Sequence, residues 1–416
     1  MAGVLTDPQE LLVRLLDPGN RADPYPLYAQ IRERGPLLLP EMNLVVFSGY
    51  EDCHAVLRHP DSASDRTKST AAQRAIANGE TVRPFGTPGF LFLDPPDHTR
   101  LRKLAQKAFA PKVVKALEPE IATLVDNLLD KAAAAGSFDV IADLAYPLPV
   151  AVICRLLGVP LEDEPEFSHA SALLARSLDP FITFTGQVPD DMDERLQAGL
   201  WLRKYLHGLI ERRRAEPGED LMSRLIAAEE DGDQLTEDEI IATCNLLLIA
   251  GHETTVNLIA NAVLAMLRQP RHWRTLAADP THAGAIIEET LRYDPPVQLV
   301  GRVAAEELRI KAGEVDEGEV VVPKGDTVML LLAAAQRDPA TFVDPDVFDP
   351  DRAGIKHLAF GHGPHFCLGA PLARLEAQLA LTMVTARFPD ARLDGVGEYK
   401  PNLTLRGLAS QRVAVS

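Results

Sequence analysis

The residues with the most chemical content are Phe360-Gly-His-Gly-Pro-His-Phe-Cys367-Leu-Gly369. Gly361 and Gly363 allow sharp backbone turns, and Gly369 sits where a helix begins. Cys367 then lies just ahead of a helix expected to start near Pro371. Unpaired amide groups and the helix dipole at such an end favour a thiolate and are expected to lower the thiol pKa. A thiolate is a metal ligand or a nucleophile, and Phe360, seven residues upstream, could pack on a flat apolar cofactor. Two other readings of the loop exist. An isolated cysteine is most often a buried apolar side chain. His362, His365 and Cys367 could also contribute to a zinc site, which would need a fourth ligand and leave the glycines unexplained.

A second segment with chemical potential is Ala250-Gly251-His252-Glu253-Thr254-Thr255, mid-way along a long apolar helical pattern. Glycine inside a helix costs about 1 kcal/mol relative to alanine. A threonine hydroxyl can bond the carbonyl four residues back and bend the helix. A buried acid needs a reason to be there. These features make a local opening that carries a carboxylate and a hydroxyl, suited to moving protons. The alternative is a kinked helix satisfied within itself.

The cysteine loop resembles the haem-binding loop of the cytochrome P-450 superfamily. Phe360, Gly361, Gly363, His365, Cys367 and Gly369 all match, a coincidence on the order of one in a hundred million per start position. The resemblance spans nearly the whole chain. It implies one haem b, with Cys367 as axial thiolate, a ligation that favours O–O cleavage. It makes His365 a partner of a haem propionate, with His98 and Arg102 (a His-x-x-x-Arg pair on one helical face) and Arg302 as further anchors. Glu253 and Thr254 become the acid–alcohol pair of oxygen activation, and Ala250 and Gly251 the floor of the oxygen groove. Glu289 and Arg292, with Arg352 in Phe348-Asp-Pro-Asp-Arg352, become a structural triad. The Glu-x-x-Arg spacing alone is weak, since it recurs at Glu80/Arg83, Glu211/Arg214 and Glu306/Arg309; position singles out one copy. The chain departs from the family at the acidic stretch 313–320 and at Gln336, where asparagine is usual, which puts the local sheet geometry in question.

The elements that must position these groups are mainly helical. Thr236-Glu-Asp-Glu239 is a capping box that should open a helix running to about Arg268. Helical spacing covers Thr99 to about Ala135 with a break near Pro111, then 143–157, 192–216, 281–293 and 368–388. Leu44–Phe47, 319–322 and 327–332 read as strands, and the tail from Asp390 as a hairpin. Residues 61–97 read as an irregular loop. The expected fold class is mainly α with a small β region (α+β), the triangular fold of the family. Residues 1–416 are expected to form one haem domain without a fused reductase, since no Gly-x-Gly-x-x-Gly follows a strand.

The four cysteines contain no Cys-x-x-Cys pair, so neither a disulfide framework nor an iron–sulfur tetrad is expected. No targeting segment opens the chain, and the expectation is a cytoplasmic monomer. A net charge of −18 argues against nucleic acid or an anionic membrane as partner. Against that trend, His98 to Lys115 holds six bases and no acid. Arg100, Lys103, Lys107, Lys112 and Lys115 are therefore expected to dock an acidic ferredoxin-type electron carrier, with a reductase behind it. Substrate contacts are expected from 61–93, 165–200 and 297–299. Phe90, Phe92, Leu246, Val297 and Leu299 suggest a lipophilic polyketide, terpenoid, steroid or fatty acid. A peroxygenase or a haem-binding sensor without turnover are the competing functions.

Overall fold

The computed structural model describes residues 7–82, 86–178, 189–228, 235–311 and 318–415. The architecture is mainly helical with small sheets. Its axis is the helix Glu237–Arg268, opened by both arms of the capping box: the Thr236 hydroxyl accepts from the Glu239 amide at 3.3 Å, and the Glu239 carboxylate accepts from the Thr236 amide at 2.8 Å. By length and composition this helix could cross a membrane, yet 78% of its window is buried within the protein. Pro147–Leu157, Glu164–Ala175, Met192–Ala215, Ala283–Tyr293 and Ala370–Arg387 all pack against it. A helix covered on all sides can be apolar on all sides.

The main sheet runs in the order Leu37–Leu39, Leu44–Phe47, Thr327–Leu330, Val300–Ala304, Ser62–Ala63. Leu44–Phe47 and Thr327–Leu330 pair in parallel, and the other neighbours pair antiparallel. Alternation along these strands divides the side chains between two cores. Leu44, Val46, Met329 and Leu331 meet Leu11, Leu15, Tyr28 and Ile31, while Val45, Phe47, Val328 and Leu330 meet Tyr50, Val56 and Leu57. Both faces are covered, which is why the strands read as unbroken apolar runs. The C-terminal hairpin, Arg392–Tyr399 with Leu408–Ala414, is joined by Ser137–Asp139.

Residues 61–97 are not the irregular loop expected from their glycines and prolines. They include the helix Thr70–Ala77, capped by the Ser69 side chain, and single turns at Arg66–Lys68 and Phe90–Phe92. The helix buries none of its residues, so no amphipathic pattern announced it. Gln336 lies just past the short helix Leu332–Ala335, outside the sheet, and the preceding strand Thr327–Leu330 pairs in unbroken register with both neighbours. Gln336 is itself buried, and its side-chain oxygen accepts from the Leu358 amide at 2.8 Å. The acidic stretch lies mostly outside the described residues.

Glu289 and Arg292 are completely buried and form two hydrogen bonds of 2.8 and 2.6 Å. The other guanidinium donors reach the carbonyls of Gln336, Pro345 and Val347 at 3.1, 2.7 and 2.9 Å. Glu289 also accepts from the Asp349 amide at 2.8 Å, and Arg352 Nε stands 3.7 Å from its carboxylate. The three triad residues are thus together. At the other described copies of the spacing, Arg214 pairs with Glu237, and Arg309 with Glu307 and Glu319. A buried ion pair stabilises only when its remaining hydrogen-bonding capacity is met, and here it fastens residues 336–352 to the helix Ala283–Tyr293.

Candidate active site

Residues 358–369 fold back on themselves before the last long helix. The Gly361 amide donates to Leu358 and the Cys367 amide to the Phe360 carbonyl, both at 2.8 Å. Gly361 and Gly363 have φ of +68° and +70°. A Cβ on Gly363 would lie 2.7 Å from the Leu57 carbonyl oxygen, so the loop needs glycine there on two counts. Glu288 grips the loop from the neighbouring helix: it accepts from Arg374 at 2.6 and 2.9 Å and meets His357 at 3.0 Å. Those partners hold its carboxyl well down, at about 2, against the opposing effect of burial. Arg374 in turn stacks 4.5 Å over the Phe360 ring.

The helix beyond Cys367 starts at Ala370, with Pro371 in its first turn. The amides of Gly369 and Ala370 and the charges of Arg102 and Arg374 all favour a thiolate, as expected for this position. Burial is nevertheless the largest influence, and it raises the thiol above its ordinary value. The lowered pKa expected from sequence is therefore corrected: the helix end supplies the favourable dipoles, but their effect is smaller than the cost of burying a charge.

Cys367 forms part of the wall of a cavity of about 780 Å³. All five expected substrate contacts, Phe90, Phe92, Leu246, Val297 and Leu299, face it. So do Arg102, Ala250, Gly251, Arg302, Phe360 and His365. His98 stands directly behind, its ring 4.1 Å from that of His365. Of the 165–200 region, Leu178 reaches the wall, while 179–188 lie outside the described residues.

The polar groups at one end of this cavity fit the carboxylates of a haem. Among the described residues, both ring nitrogens of the buried His98 and Nδ1 of His365 lack a hydrogen-bond partner, which is costly for buried polar atoms without a ligand. Among the described residues, Arg302 donates only to the neighbouring Gly301 carbonyl, at 2.8 Å. Burial lowers its pKa to about 10, while burial together with Arg302 and His98 pushes His365 down to about 3. Arg102 donates to the Phe366 carbonyl and so ties the helix Asp97–Gln106 to the cysteine loop.

The acid and the alcohol of the central helix part company. Thr254 lies on the cavity wall and donates to the Ala250 carbonyl at 2.7 Å; Thr255 donates to Gly251 at 3.0 Å. Glu253 is buried off the wall, paired with Lys400 at 2.5 Å, and Lys400 also lies 3.5 Å from Asn257. Consecutive helical residues project about 100° apart, so adjacency in sequence places them on different faces. Nothing in the sequence pointed to Lys400, which arrives from the C-terminal hairpin.

Four residues of the expected docking stretch, Lys103, Lys107, Lys112 and Lys115, are exposed. Arg100, in the same stretch, has a side chain 40% exposed and forms an ion pair with Glu239 of the capping box. Phe366, the residue before the cysteine, is 42% exposed beside this basic segment.

A model of the cytochrome P450 family matches residues 36–280 and 281–402. Among curated relatives, cytochrome P450 monooxygenase PikC of Streptomyces venezuelae is 40% identical over 98% of this chain and 94% of its own. Vitamin D(3) 25-hydroxylase of Pseudonocardia autotrophica is 39% identical over 94% of each chain. The crystal structure of ligand-free CYP164A2 of Mycobacterium smegmatis is 65% identical, with a TM-score of 0.91 over 98% of this chain and all of that one (100%).

Glu376, on the cysteine helix, also faces the cavity and was missed from sequence because it looks like an ordinary helix glutamate. It is 3% exposed, its Oε2 has no partner, and burial pushes its carboxyl up to about 8. On unfolding, this group would release its proton at ordinary carboxylate pH. The unfolded state therefore gains as pH rises from about 4 to about 8, by at most about 1.4 kcal/mol per pH unit. Glu376→Gln removes that titration. Its thermal midpoint relative to wild type should climb between pH 5 and pH 8; an offset independent of pH would show that Glu376 is ionised in the folded protein.

Proposed function

Because the chain belongs to the cytochrome P450 family, we propose that the cavity holds one haem b ligated by Cys367, and that a lipophilic small molecule is oxidised beside it. The enzyme is an oxidoreductase of the monooxygenase class. The observation that carries the site assignment is one cavity walled by Cys367, Thr254 and a histidine with a ring nitrogen lacking a partner. Bound haem supplies the redox centre at which O2 is reduced with two electrons and two protons, one oxygen atom entering the substrate and the other leaving as water.

The chain's own residues do the rest. His98, Arg102, Arg302 and His365 would neutralise and hydrogen-bond the two haem carboxylates, giving the unsatisfied histidine nitrogens their partners. Phe360 would pack against the ring. Thr254 donates its proton to Ala250, which leaves its oxygen lone pairs free to accept on the cavity side. At Gly251 no side chain intrudes; a Cβ there would approach only Ile153, at 3.6 Å. Glu253, with Lys400 behind it, is the group from which protons would be passed to Thr254 after a side-chain rotation. The apolar remainder of the wall excludes water and selects substrates of low polarity, the range from polyketides and terpenoids to steroids and fatty acids.

Electrons would come from an acidic ferredoxin and its reductase in the cytoplasm. Lys103, Lys107, Lys112 and Lys115 are exposed on the segment that follows Arg102, which bonds Phe366, and they would provide local attraction on a chain of net charge −18. The whole chain would act as one monomeric haem domain.

Three measurements test this reading. Reduced protein with carbon monoxide should give the strongly red-shifted Soret band of thiolate ligation. Cys367→Ser should lose it, whereas alanine at the buried Cys53, Cys154 or Cys244 should not; a band that survives Cys367→Ser refutes the ligand assignment. Thr254→Ala should keep that band and substrate binding while diverting most electrons from NADH into peroxide, and unchanged coupling would remove Thr254 from proton handling. Finally, Lys103→Glu with Lys107→Glu should slow second-order reduction by ferredoxin roughly ten-fold at low salt and flatten its salt dependence. Equal rates and slopes would place the docking surface elsewhere.

A further inference from the structure

Arg66 projects from the single turn Arg66–Lys68 into the wall of the cavity. Protein surrounds it closely enough to lower its pKa, yet it keeps an open surface beside the substrate-facing residues. Its guanidinium lies 5.0 Å from the centroid of the Phe92 ring. Among the described residues it makes no side-chain hydrogen bond and no ion pair. The acids nearest in sequence are already engaged. Asp94 accepts from Lys68 at 2.6 Å and from the amides of Ser64 and Asp65, and Asp65 accepts from the Thr67 hydroxyl and amide.

The charges facing the cavity do not balance. Three guanidiniums, Arg66, Arg102 and Arg302, form part of its wall, and the only acid on that wall among the described residues is Glu376, whose carboxyl burial pushes up to about 8. The haem of the proposed function brings two carboxylates, for which Arg102 and Arg302, with His98 and His365, suffice. Among the described residues one cation is then left without an anion: Arg66 is exposed, so water can meet it, and it stands unpaired for an anionic ligand that enters the cavity. Around Arg66 the wall changes character. Ser69 accepts from the Ala72 amide at 3.2 Å and keeps its hydroxyl proton free to donate. Ala71, Ala72 and Ala75 of the helix Thr70–Ala77, none of them buried, continue the wall as an apolar surface.

We propose that Arg66 is the anchor for the carboxylate of the substrate, with Ser69 assisting, so that this enzyme acts on lipophilic carboxylic acids, its apolar wall taking the chain. This rests on the haem-thiolate reading above and narrows its substrate class. A planar guanidinium receives a carboxylate through two parallel hydrogen bonds, and Phe92 beneath it fixes the plane. The ester or alcohol of the same chain would leave that charge unpaired, so discrimination should be large.

The test uses the holoenzyme with saturated fatty acids of ten to eighteen carbons, their methyl esters and the matching alcohols. Binding is followed by the low-spin to high-spin shift and by calorimetry. In wild type at least one acid should bind roughly ten- to hundred-fold more tightly than its ester and alcohol. Arg66→Met should bring acid binding down to the ester's level and leave the ester unchanged, while Arg66→Lys should restore part of the preference. Haem content and the carbon monoxide band should be the same in all three proteins. The proposal is overturned if no acid binds, if acid and ester bind equally in wild type, or if Arg66→Met keeps the preference. Loss of haem from Arg66→Met would also overturn it, by assigning Arg66 to a haem carboxylate. A wild-type protein without the carbon monoxide band would instead defeat the haem-thiolate reading itself.

Discussion

The Glu289–Arg292 pair lies at zero exposure, where an uncompensated charge would cost several kcal/mol. Such a pair persists only if other groups complete it, and those groups are almost all main chain: the carbonyls of Gln336, Pro345 and Val347 and the amide of Asp349. A stretch with little regular structure of its own is thereby fixed to a helix. Glu288, one residue earlier on the same helix, fastens the cysteine loop in the same way. It holds His357 and Arg374, which lie on either side of that loop. Two adjacent acids thus determine where Cys367 stands, and neither touches the cavity.

The cavity shows the opposite economy of polar groups. Most of its wall is apolar, and the exceptions each have an evident role or an unmet need. Thr254 uses its proton on its own helix and offers lone pairs inward. His98 and His365 pack ring against ring with nitrogens unsatisfied. Burial in an apolar setting pushes the Glu376 carboxyl up to about 8 by disfavouring its charged form. Arg66 cannot take that route, since a guanidinium stays protonated at working pH; exposed on the cavity wall, it is met by water until an anion enters.

The position of Glu253 illustrates how tertiary contacts assign roles within a motif. Its neighbour in sequence faces the cavity, but the carboxylate itself meets Lys400, which is brought from 147 residues away by the C-terminal hairpin. In the proposed proton path from Glu253 to Thr254 this ion pair would have to break, and it is only partly shielded, with Lys400 20% exposed.

Much of this protein was legible from sequence where one residue type has one physical use. Glycine at Gly361 and Gly363 foretold the positive-φ turns, the capping box located the start of the central helix, and a short apolar run marked Leu44–Phe47. The cysteine loop identified the family by its spacing alone. Charged residues resisted the same treatment, because their roles depend on partners distant in the chain. The pairing of Arg100 with Glu239 could not be read from sequence, and Glu288, Lys400 and Arg66 looked like any surface charge. Even the cysteine pKa turned on burial, not on the helix end that sequence could see. Local backbone geometry is set by neighbours within a few residues, so sequence determined it. Desolvation and pairing are set by what the fold brings alongside, and only the tertiary structure could decide those.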